Sequence, residues 1–427
     1  MSKIELHTEV EEAISAEDVA GFRIKKVELS GIKLETPVRT LYCSTEIPTG
    51  IRERILSLND MKKTLLEVNR TIYRDESYHS LMNSVKWGGE DIKRQLRVND
   101  KLANKNLVIT MSFSAFPHKK LGKGFEDFLD NLHAYSRVVF VPNVRFGRKT
   151  TKTSLNYSPT SFTKYIELSL KVLSERNTKS IFVPLDIDFD SQTRNYIISH
   201  YAKNKYTNIW IDFKGKAITP TQIAKIRGIL RVIDESFGDL SSQVVTYLAN
   251  VKKIPRGLTP DIKLTPSDVL GPFVYGDIVG VPWKGITVYR QEEESYWERK
   301  GFSSEEEYKE ALFKRDTSIF DTGTYYYWYP DMVRISDIAL EKLRKEMLIL
   351  GIENRSKAEK ISSTINGAIN LRELTIIKKT VEDEGVLSPY LEEKEFFTKE
   401  GKNLLKTIIT KETSKRKTRS LFDFVMK

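Results

Sequence analysis

The chain has 427 residues, of which 40% are hydrophobic and 30% are charged, so it can form at least one complete core and is not a disordered chain. Lysine and arginine total 69 against 58 acidic residues, and the resulting charge of +11 favours a polyanionic partner, nucleic acid first. The single cysteine, Cys43, excludes a disulfide framework and a cysteine-rich zinc site.

The longest apolar runs have the length of strands, and the polar, acidic residues 1–18 do not form a signal peptide. We therefore expect a cytoplasmic, nucleoid-associated protein that does not bind membranes. The five histidines have no metal-like spacing, so neither zinc nor another cofactor is expected.

Hydrophobic patterning predicts strands and helices in chain order. Residues 27–44 alternate apolar and polar positions as half-buried strands do, whereas 52–97 indicates helices and loops without clear chemistry. Ser158 is the predicted N-cap of a helix with Pro159 in its first position. Beyond residue 106 the predicted strands are 107–113, 137–146, 180–189, 208–215 and 243–251, and the predicted helices are 124–136, 158–176, 191–204 and 219–238.

This alternation indicates an α/β protein in which helices cover a parallel sheet, and six or more units favour a closed (β/α)8 TIM-like barrel. No glycine-rich phosphate-binding turn follows any strand, which argues against an open nucleotide-binding sheet. The predicted organisation is an N-terminal segment (1–25), a barrel (26–335) with insertions at 45–100 and 252–316, C-terminal helices (336–400) and a flexible basic tail (401–427).

Barrel active sites lie at the carboxyl ends of the strands, so the polar residues closing each predicted strand are the candidate site residues. They are Ser112, Ser114, Asn143, Arg145, Asp186, Asp188, Asp190, Asp212, Lys214, Asn250, Asp277 and Asp321, with Phe116 close to the first two.

Three carboxylates, Asp186, Asp188 and Asp190, are predicted on one face of a strand because side chains alternate along it. There they would form a divalent-metal or acid–base cluster. The alternative is that Asp190 caps the next helix and Asp186 pairs with a lysine inside the barrel. Asp212 and Lys214 also share a face, either as a buried salt bridge or as a base beside a cation that holds an anion.

The segment 319–332, IFDTGTYYYWYPDM, resembles the barrel-closing segment of tRNA-guanine transglycosylases, especially the archaeal branch and the related DNA-modifying enzymes. Residues 31–46 are similar to the family's opening hairpin and first strand. The match at the first segment comprises Phe320, Asp321, Thr322, Gly323, Thr324 and Tyr325, and the helix at 366–385 matches at Asn366, Glu373, Leu374, Ile377, Lys378 and Val381.

The chain also departs from this family. The Asp-Ser-Gly-Gly/Ser-Phe-Gln signature falls on residues 112–117, where Phe116 is retained and Ser112 replaces the acid–base aspartate. The aspartate after the next strand falls on Asn143, and the three-Cys-plus-His zinc site is absent. Either the chemistry has been rebuilt around Asp186, Asp188 or Asp212, or the barrel only binds.

The resemblance implies that Asp321 attacks C1′ of a nucleotide, expels guanine and holds a covalent intermediate that a deazaguanine base resolves. The target base would be flipped out and would stack on Phe116. The aromatic run 325–329, beginning at Tyr325, would line the mouth; packing between the barrel and the C-terminal helices is the alternative. Ser112, Ser114, Asn143 and Lys214 would then bind substrate.

The C-terminus resembles a sliding-clamp-binding peptide (PIP box). Leu421 and Phe424 match its pattern and flank Phe422, whereas Thr418 replaces the glutamine and Val425 one aromatic residue. The alternative is a plain basic tail with an apolar end. A clamp peptide favours DNA over tRNA as substrate, and a homodimer is a further expectation. The remaining hypotheses are an inactive DNA-binding scaffold of replication or repair and a metal-dependent nuclease that uses Asp186, Asp188 and Asp190.

Overall fold

A computed structural model describes residues 8–59, 64–113, 123–144, 158–175, 178–255, 263–283 and 297–409 of the chain. The strands in these ranges are β1 (Thr8–Ser15), β2 (Arg23–Leu29), β3 (Ile32–Thr36), β4 (Val38–Arg39), β5 (Leu41–Tyr42), β6 (Leu66–Ile72), β7 (Leu107–Phe113), β8 (Val139–Phe140), β9 (Asn143–Val144), β10 (Ile181–Asp186), β11 (Asn208–Asp212), β12 (Val245–Ala249), β13 (Lys263–Leu264), β14 (Ile278–Val279), β15 (Ile319–Asp321) and β16 (Tyr326–Trp328).

The α-helices in the same ranges follow the same numbering. They are α1 (Thr49–Ser57), α2 (Asp75–Trp87), α3 (Gly89–Leu96), α4 (Asp100–Ala103), α5 (Lys123–Tyr135), α6 (Pro159–Ser174), α7 (Ser191–Lys203), α8 (Pro220–Phe237), α9 (Glu305–Asp316), α10 (Ile338–Leu350), α11 (Arg355–Glu384), α12 (Ser388–Glu392), α13 (Glu395–Thr398) and α14 (Lys402–Ile408). None of these helices is long and apolar enough to cross a membrane.

Two parallel sheets form the centre of the α/β structure. One has the order β4-β14-β12-β11-β10-β8 and forms a half-barrel, and the other has the order β5-β6-β7-β9. Only Thr40 separates β4 from β5, and two residues separate β8 from β9. The two sheets therefore meet at both of their outer strands. The predicted strand–helix alternation beyond residue 106 is confirmed, and Ser158 caps α6 by accepting a hydrogen bond from the Ser161 amide at 3.2 Å.

The region 52–97 contains a strand that the sequence analysis missed. β6 pairs in parallel with both β5 and β7, and its first residues are buried. Helical patterns lie on both sides of β6 in the sequence. The strand itself, LEVNRTI, carries both charged and apolar side chains, and these two features concealed it. The predicted insertion at 45–100 thus contributes a strand to the parallel part of the fold.

The resemblance predicts that the strand containing Phe320 closes a barrel, and this prediction is wrong. β15 pairs antiparallel with β16, and β16 pairs antiparallel with β13, so these three strands form a sheet of their own. A second antiparallel sheet, β1-β2-β3, precedes the parallel strands. Its turn at Ser30 and Gly31 has φ values of 53° and 79°, and glycine adopts such values at little cost.

Aromatic side chains from four neighbouring strands fill the concave side of the half-barrel. The ring of Phe140 lies 4.8 Å from Phe182, 4.7 Å from Tyr247 and 6.1 Å from Trp210 between centroids. All four side chains are buried. Burial of such rings contributes most of the local packing energy, so this layer fixes the positions of the strand ends beyond it.

Candidate functional site

Asp212, the last residue of β11, is the centre of a buried polar cluster. Its Oδ2 accepts hydrogen bonds from Ser112 Oγ at 2.8 Å and from Asn143 Nδ2 at 3.0 Å. Its Oδ1 accepts from Asn250 Nδ2 at 2.7 Å and from the backbone amide of Lys214 at 2.9 Å. Donors at or just beyond β7, β9, β11 and β12 therefore converge on one carboxylate. Asp212 and the residues that donate to it were all predicted as candidates from their positions near strand ends.

The two asparagines of this cluster leave acceptor atoms unused. Among the described residues, Asn143 Oδ1 and Asn250 Oδ1 are buried and have no hydrogen-bond partner. Each amide nitrogen is held by Asp212, so neither amide can flip without placing its oxygen against a carboxylate. Buried polar atoms are nearly always paired, and the two oxygens therefore indicate that a ligand or a water with N–H or O–H donors belongs here.

Asp186 ends β10 next to this cluster and forms an ion pair with Lys214. Its Oδ2 lies 2.6 Å from Lys214 Nζ, and its Oδ1 accepts the Asp188 amide at 2.8 Å. Burial raises the pKa of Asp186 above its ordinary 3.8, the charge of Asp212 adds to the rise, and Lys214 only partly opposes it. Asp186 thus pairs with a lysine, as the alternative for the three carboxylates stated. Of the two alternatives for Asp212 and Lys214, the salt bridge is wrong in its partner, because the lysine side chain binds Asp186.

The prediction that three carboxylates share one face of a strand is also wrong. β10 ends at Asp186, so the alternation of side chains does not extend to Asp188 and Asp190. Asp190 caps α7 by accepting the Thr193 amide at 2.9 Å, as the alternative stated.

Asp188 is bound by lysines. Its Oδ1 accepts hydrogen bonds from Lys216 and, at 2.9 Å, from Lys225. Partial burial favours a higher pKa for Asp188, but these two lysines outweigh it and hold the pKa below its usual range. Among the described residues, no group of three or more His, Cys, Asp or Glu side chains is arranged to hold a metal ion.

The backbone at the end of β11 and β12 is unusual. Lys214 and Asn250 have φ values of 55° and 58°, in the left-handed region that side chains other than glycine seldom adopt. The hydrogen bond from the Lys214 backbone amide to Asp212 stabilises the first conformation. The hydrogen bond from the buried Asn250 side-chain amide to Asp212 stabilises the second. Such strain is typical of sites where side-chain direction has a functional purpose.

Trp283 and Tyr73 lie at the ends of β14 and β6 and were not predicted as site residues. Trp283 Nε1 donates a hydrogen bond to the Tyr73 hydroxyl at 3.3 Å, and both side chains are partly exposed. Trp283 comes four residues after β14, so its position beyond a strand end is the signal that could have identified it. Glu67 on β6 was missed as well; it is buried and accepts from Thr110 Oγ1 at 2.5 Å and from the Val281 amide at 2.6 Å.

Asp321 lies on the antiparallel sheet rather than on the parallel strands. Its Oδ2 accepts the Thr324 amide at 2.8 Å and the Thr324 hydroxyl at 2.5 Å, which stabilises the turn between β15 and β16. Its side chain is partly exposed. The structure therefore does not bring Asp321 together with Asp186 and Asp212 through any hydrogen bond between the described residues.

The tyrosine run is packed inside the protein, which is the alternative to a mouth lining. Tyr325, Tyr326 and Tyr327 are buried, and the Tyr325 hydroxyl donates to Glu373 Oε1 at 2.8 Å. Tyr325 therefore joins the hairpin to α11 and does not form part of the Asp212 cluster.

The three segments that carry the family resemblance contact one another. Asn366 on α11 accepts the Phe320 amide at 2.8 Å, and Lys378 on α11 donates to Glu35 of the opening hairpin at 2.9 Å. Gly367 packs on Leu41, where a Cβ would come within 2.6 Å of a methyl carbon. The matched positions thus form one continuous packing unit around α11.

Several predicted residues fall elsewhere. Asp277 precedes β14 and binds Lys25 at 3.2 Å, so it lies at the opposite ends of the strands from Asp212. The following predicted residues lie outside the described part of the chain: Ser114, Phe116, Arg145, Thr418, Leu421, Phe422, Phe424 and Val425.

Compared with models of known protein families and with curated proteins, the sequence matches none of them.

Proposed function

We propose that the two parallel sheets together form one eight-stranded (β/α)8 barrel whose carboxyl end contains the active site. Three observations support this. Every neighbouring pair, from β5 with β6 round to β14 with β4, is parallel. Single short bends join β4 to β5 and β8 to β9. The polar residues that follow the strands converge on Asp212, as barrel sites do.

We propose that this site acts on guanine in nucleic acid, DNA rather than tRNA, by glycosyl transfer through an aspartate. The observation that carries the proposal is the pair of buried acceptors, Asn143 Oδ1 and Asn250 Oδ1. The edge of guanine that carries N1–H and the exocyclic amine is rich in donors and complements them. Asn143 is also the position on which an aspartate of the transglycosylase family falls, and it was predicted to bind substrate.

We assign the nucleophile to Asp186. Four hydrogen-bond donors already occupy the Asp212 carboxylate, and Asp188 is bound by two lysines. Asp186 has a raised pKa, which makes its ionised form a stronger base and nucleophile. Asp321, which the resemblance names as the nucleophile, remains the alternative.

In the first step of the proposed reaction, a bond from Asp186 to C1′ replaces the C1′–N9 bond. A carboxylate oxygen of Asp186 bonds to C1′ as the C1′–N9 bond breaks, and the departing guanine takes both electrons of that bond. The Lys214 ammonium, 2.6 Å from Asp186, stabilises the negative charge and supplies a proton to the base. The neutral Lys214 amine left by that transfer then takes the N9 proton of an incoming deazaguanine base, and N9 of this base bonds to C1′ as the bond from C1′ to the Asp186 oxygen breaks.

Covalent trapping tests this proposal. The protein is incubated with a single-stranded guanine-containing oligonucleotide, and the covalent complex is measured on a denaturing gel. We expect Asp186→Asn to reduce the complex by at least about a thousandfold, whereas Asp188→Asn, the matched control, retains it. Loss in Asp321→Asn with retention in Asp186→Asn would return the nucleophile to Asp321.

A binding protein without catalysis is the second candidate. It is favoured by Ser112 and Asn143, which replace the two carboxylates of the related family. No covalent complex with any guanine-containing DNA or deazaguanine, together with retained DNA binding, would establish this function. We also retain the proposal that the C-terminal segment binds a sliding clamp, which supports DNA as the polymer.

A further inference from the structure

Trp283 covers the turn that follows β11. A Cβ atom on Gly215 would lie 2.5, 2.7 and 2.8 Å from three atoms of the six-membered ring of the Trp283 indole. Gly215 also has a φ of 77°, a conformation that suits glycine. The residue at 215 must therefore lack a side chain for the indole to lie against the backbone at this position.

The indole is held in place on two sides. The Trp283 amide donates to the Val251 carbonyl at 2.8 Å, which ties it to the chain just after β12. Its Nε1 donates to the Tyr73 hydroxyl at 3.3 Å, which ties the ring edge to the end of β6. A large aromatic ring that is fixed in this way and remains partly exposed offers a preformed flat surface.

This surface adjoins the proposed catalytic pair. Gly215 follows Lys214 in the chain, and the Lys214 ammonium binds Asp186. Lys214 is also the most exposed member of the cluster, with 20% of its side chain accessible against 1% for Asp186. Lys214 is therefore the member of the cluster that solvent reaches most, and the indole lies beside it on Gly215.

We propose that Trp283 is a stacking platform for an unpaired nucleobase, positioned beside Lys214 by Gly215 and Tyr73. The inference rests on the proposed function for the identity of the ligand, a planar heteroaromatic base. Every nucleobase has a π-face, so a tryptophan binds an unstacked base without needing a particular sequence. Stacking holds the base while the polar cluster recognises its edge.

Fluorescence titration tests the platform without requiring turnover. The probes are a single-stranded oligothymidylate with one central guanine and the same strand with an abasic site in place of the guanine. Because thymines also stack, the difference between the two strands measures the site-specific contact. We expect the guanine strand to quench the protein's fluorescence more strongly and to bind wild-type protein more tightly than the abasic strand.

Substitutions then identify the tryptophan. We expect Trp283→Leu to weaken binding of the guanine strand by about 5- to 150-fold and to abolish the additional quenching. Trp283→Phe should retain most of the affinity without the quenching, which separates stacking from a folding defect. Trp87→Leu is the matched control, because Trp87 is 81% exposed on α2.

The outcome is independent of the catalytic assignment. Trp283-dependent quenching in a protein that forms no covalent complex would support the platform and remove the proposed glycosyl transfer. Wild-type affinity and quenching in Trp283→Leu would overturn the platform, even if Asp186-dependent trapping were observed.

Discussion

At the scale of residues, Asp212 organises the buried polar cluster at the ends of the parallel strands. A carboxylate offers about four lone-pair positions, and at Asp212 four donors from the ends of different strands occupy them. Each donor is itself buried or part of a constrained turn, so the charge orients the amides of Asn143 and Asn250. In the proposed mechanism Asp212 is therefore a positioning residue, and its neighbour Asp186 is the proposed nucleophile.

Asp212→Asn tests this division. One oxygen becomes an amide NH2 group that faces existing donors, and we expect the free energy of unfolding to fall by about 1–3 kcal/mol in denaturant titration.

The same variant should lower the pKa of Asp186. Asp212 is one of the charges that raise it, and removal of a negative neighbour favours the ionised form. Carbon-13 NMR of the Asp186 carboxyl group measures this shift against Asp190→Asn, whose charge does not contribute to the raised pKa. An unchanged or higher Asp186 pKa in Asp212→Asn would contradict the electrostatic account.

Residue types at strand ends were enough to predict most of the cluster. Ser112, Asn143, Asp186 and Asp212 each close a predicted strand, and parallel strands present those ends together. A lysine partner for Asp186 was one of the alternatives, but the pattern did not identify it as Lys214, which has a left-handed backbone conformation. Glu67 was hidden for a different reason: its strand carries too mixed a pattern to be identified by periodicity.

At the scale of elements, the ends of strands and helices determined which predictions succeeded. β10 ends four residues before Asp190, and Asp190 then begins α7 as its N-cap. Continuous hydrophobic character therefore identified the strand but not its end. The N-cap of α6 was predictable, because serine followed by proline is a strong local signal that does not depend on tertiary packing.

Ser158→Ala measures the contribution of this cap. Loss of the hydrogen bond to the Ser161 amide leaves a helix-end donor without its protein partner, and we expect destabilisation by about 1 kcal/mol in chemical denaturation. Ser158→Asp should retain the wild-type stability, since aspartate is an equally good cap. Equal stability of all three proteins would show that α6 does not depend on the cap.

At the scale of the molecule, the family resemblance and the chemistry separate into two regions. The resembling segments pack around α11 and the antiparallel hairpin, whereas the polar cluster lies at the ends of the parallel strands. The resemblance in the sequence is concentrated in the first region because its motif is contiguous. The second is assembled from residues of separate strands, so the sequence predicted its members but the fold was needed to show their contacts. Two predictions concern the whole molecule: the net charge of +11 favours a polyanionic partner, and the homodimer would pair two copies of the chain.

The proposed clamp peptide is tested on the full chain. Replacement of both Leu421 and Phe424 by alanine removes the apolar side chains that would fill a clamp pocket, so we expect at least about tenfold weaker binding to a sliding clamp by surface plasmon resonance. Covalent trapping on free DNA should not change. Asp423→Ala is the control within the same peptide; equal clamp binding by all the proteins would dismiss the motif.

The pairing of β4 with β14 has a consequence for synthesis of the chain. The Thr40 hydroxyl and the Val279 carbonyl to which it donates are 239 residues apart in sequence. A nascent chain that has not yet reached Val279 therefore carries an open strand edge at β4, exposed to other growing chains on the same messenger. Val279, the partner of Arg39 in this ladder, is synthesised long after β4, and a translational pause between the two would favour aggregation.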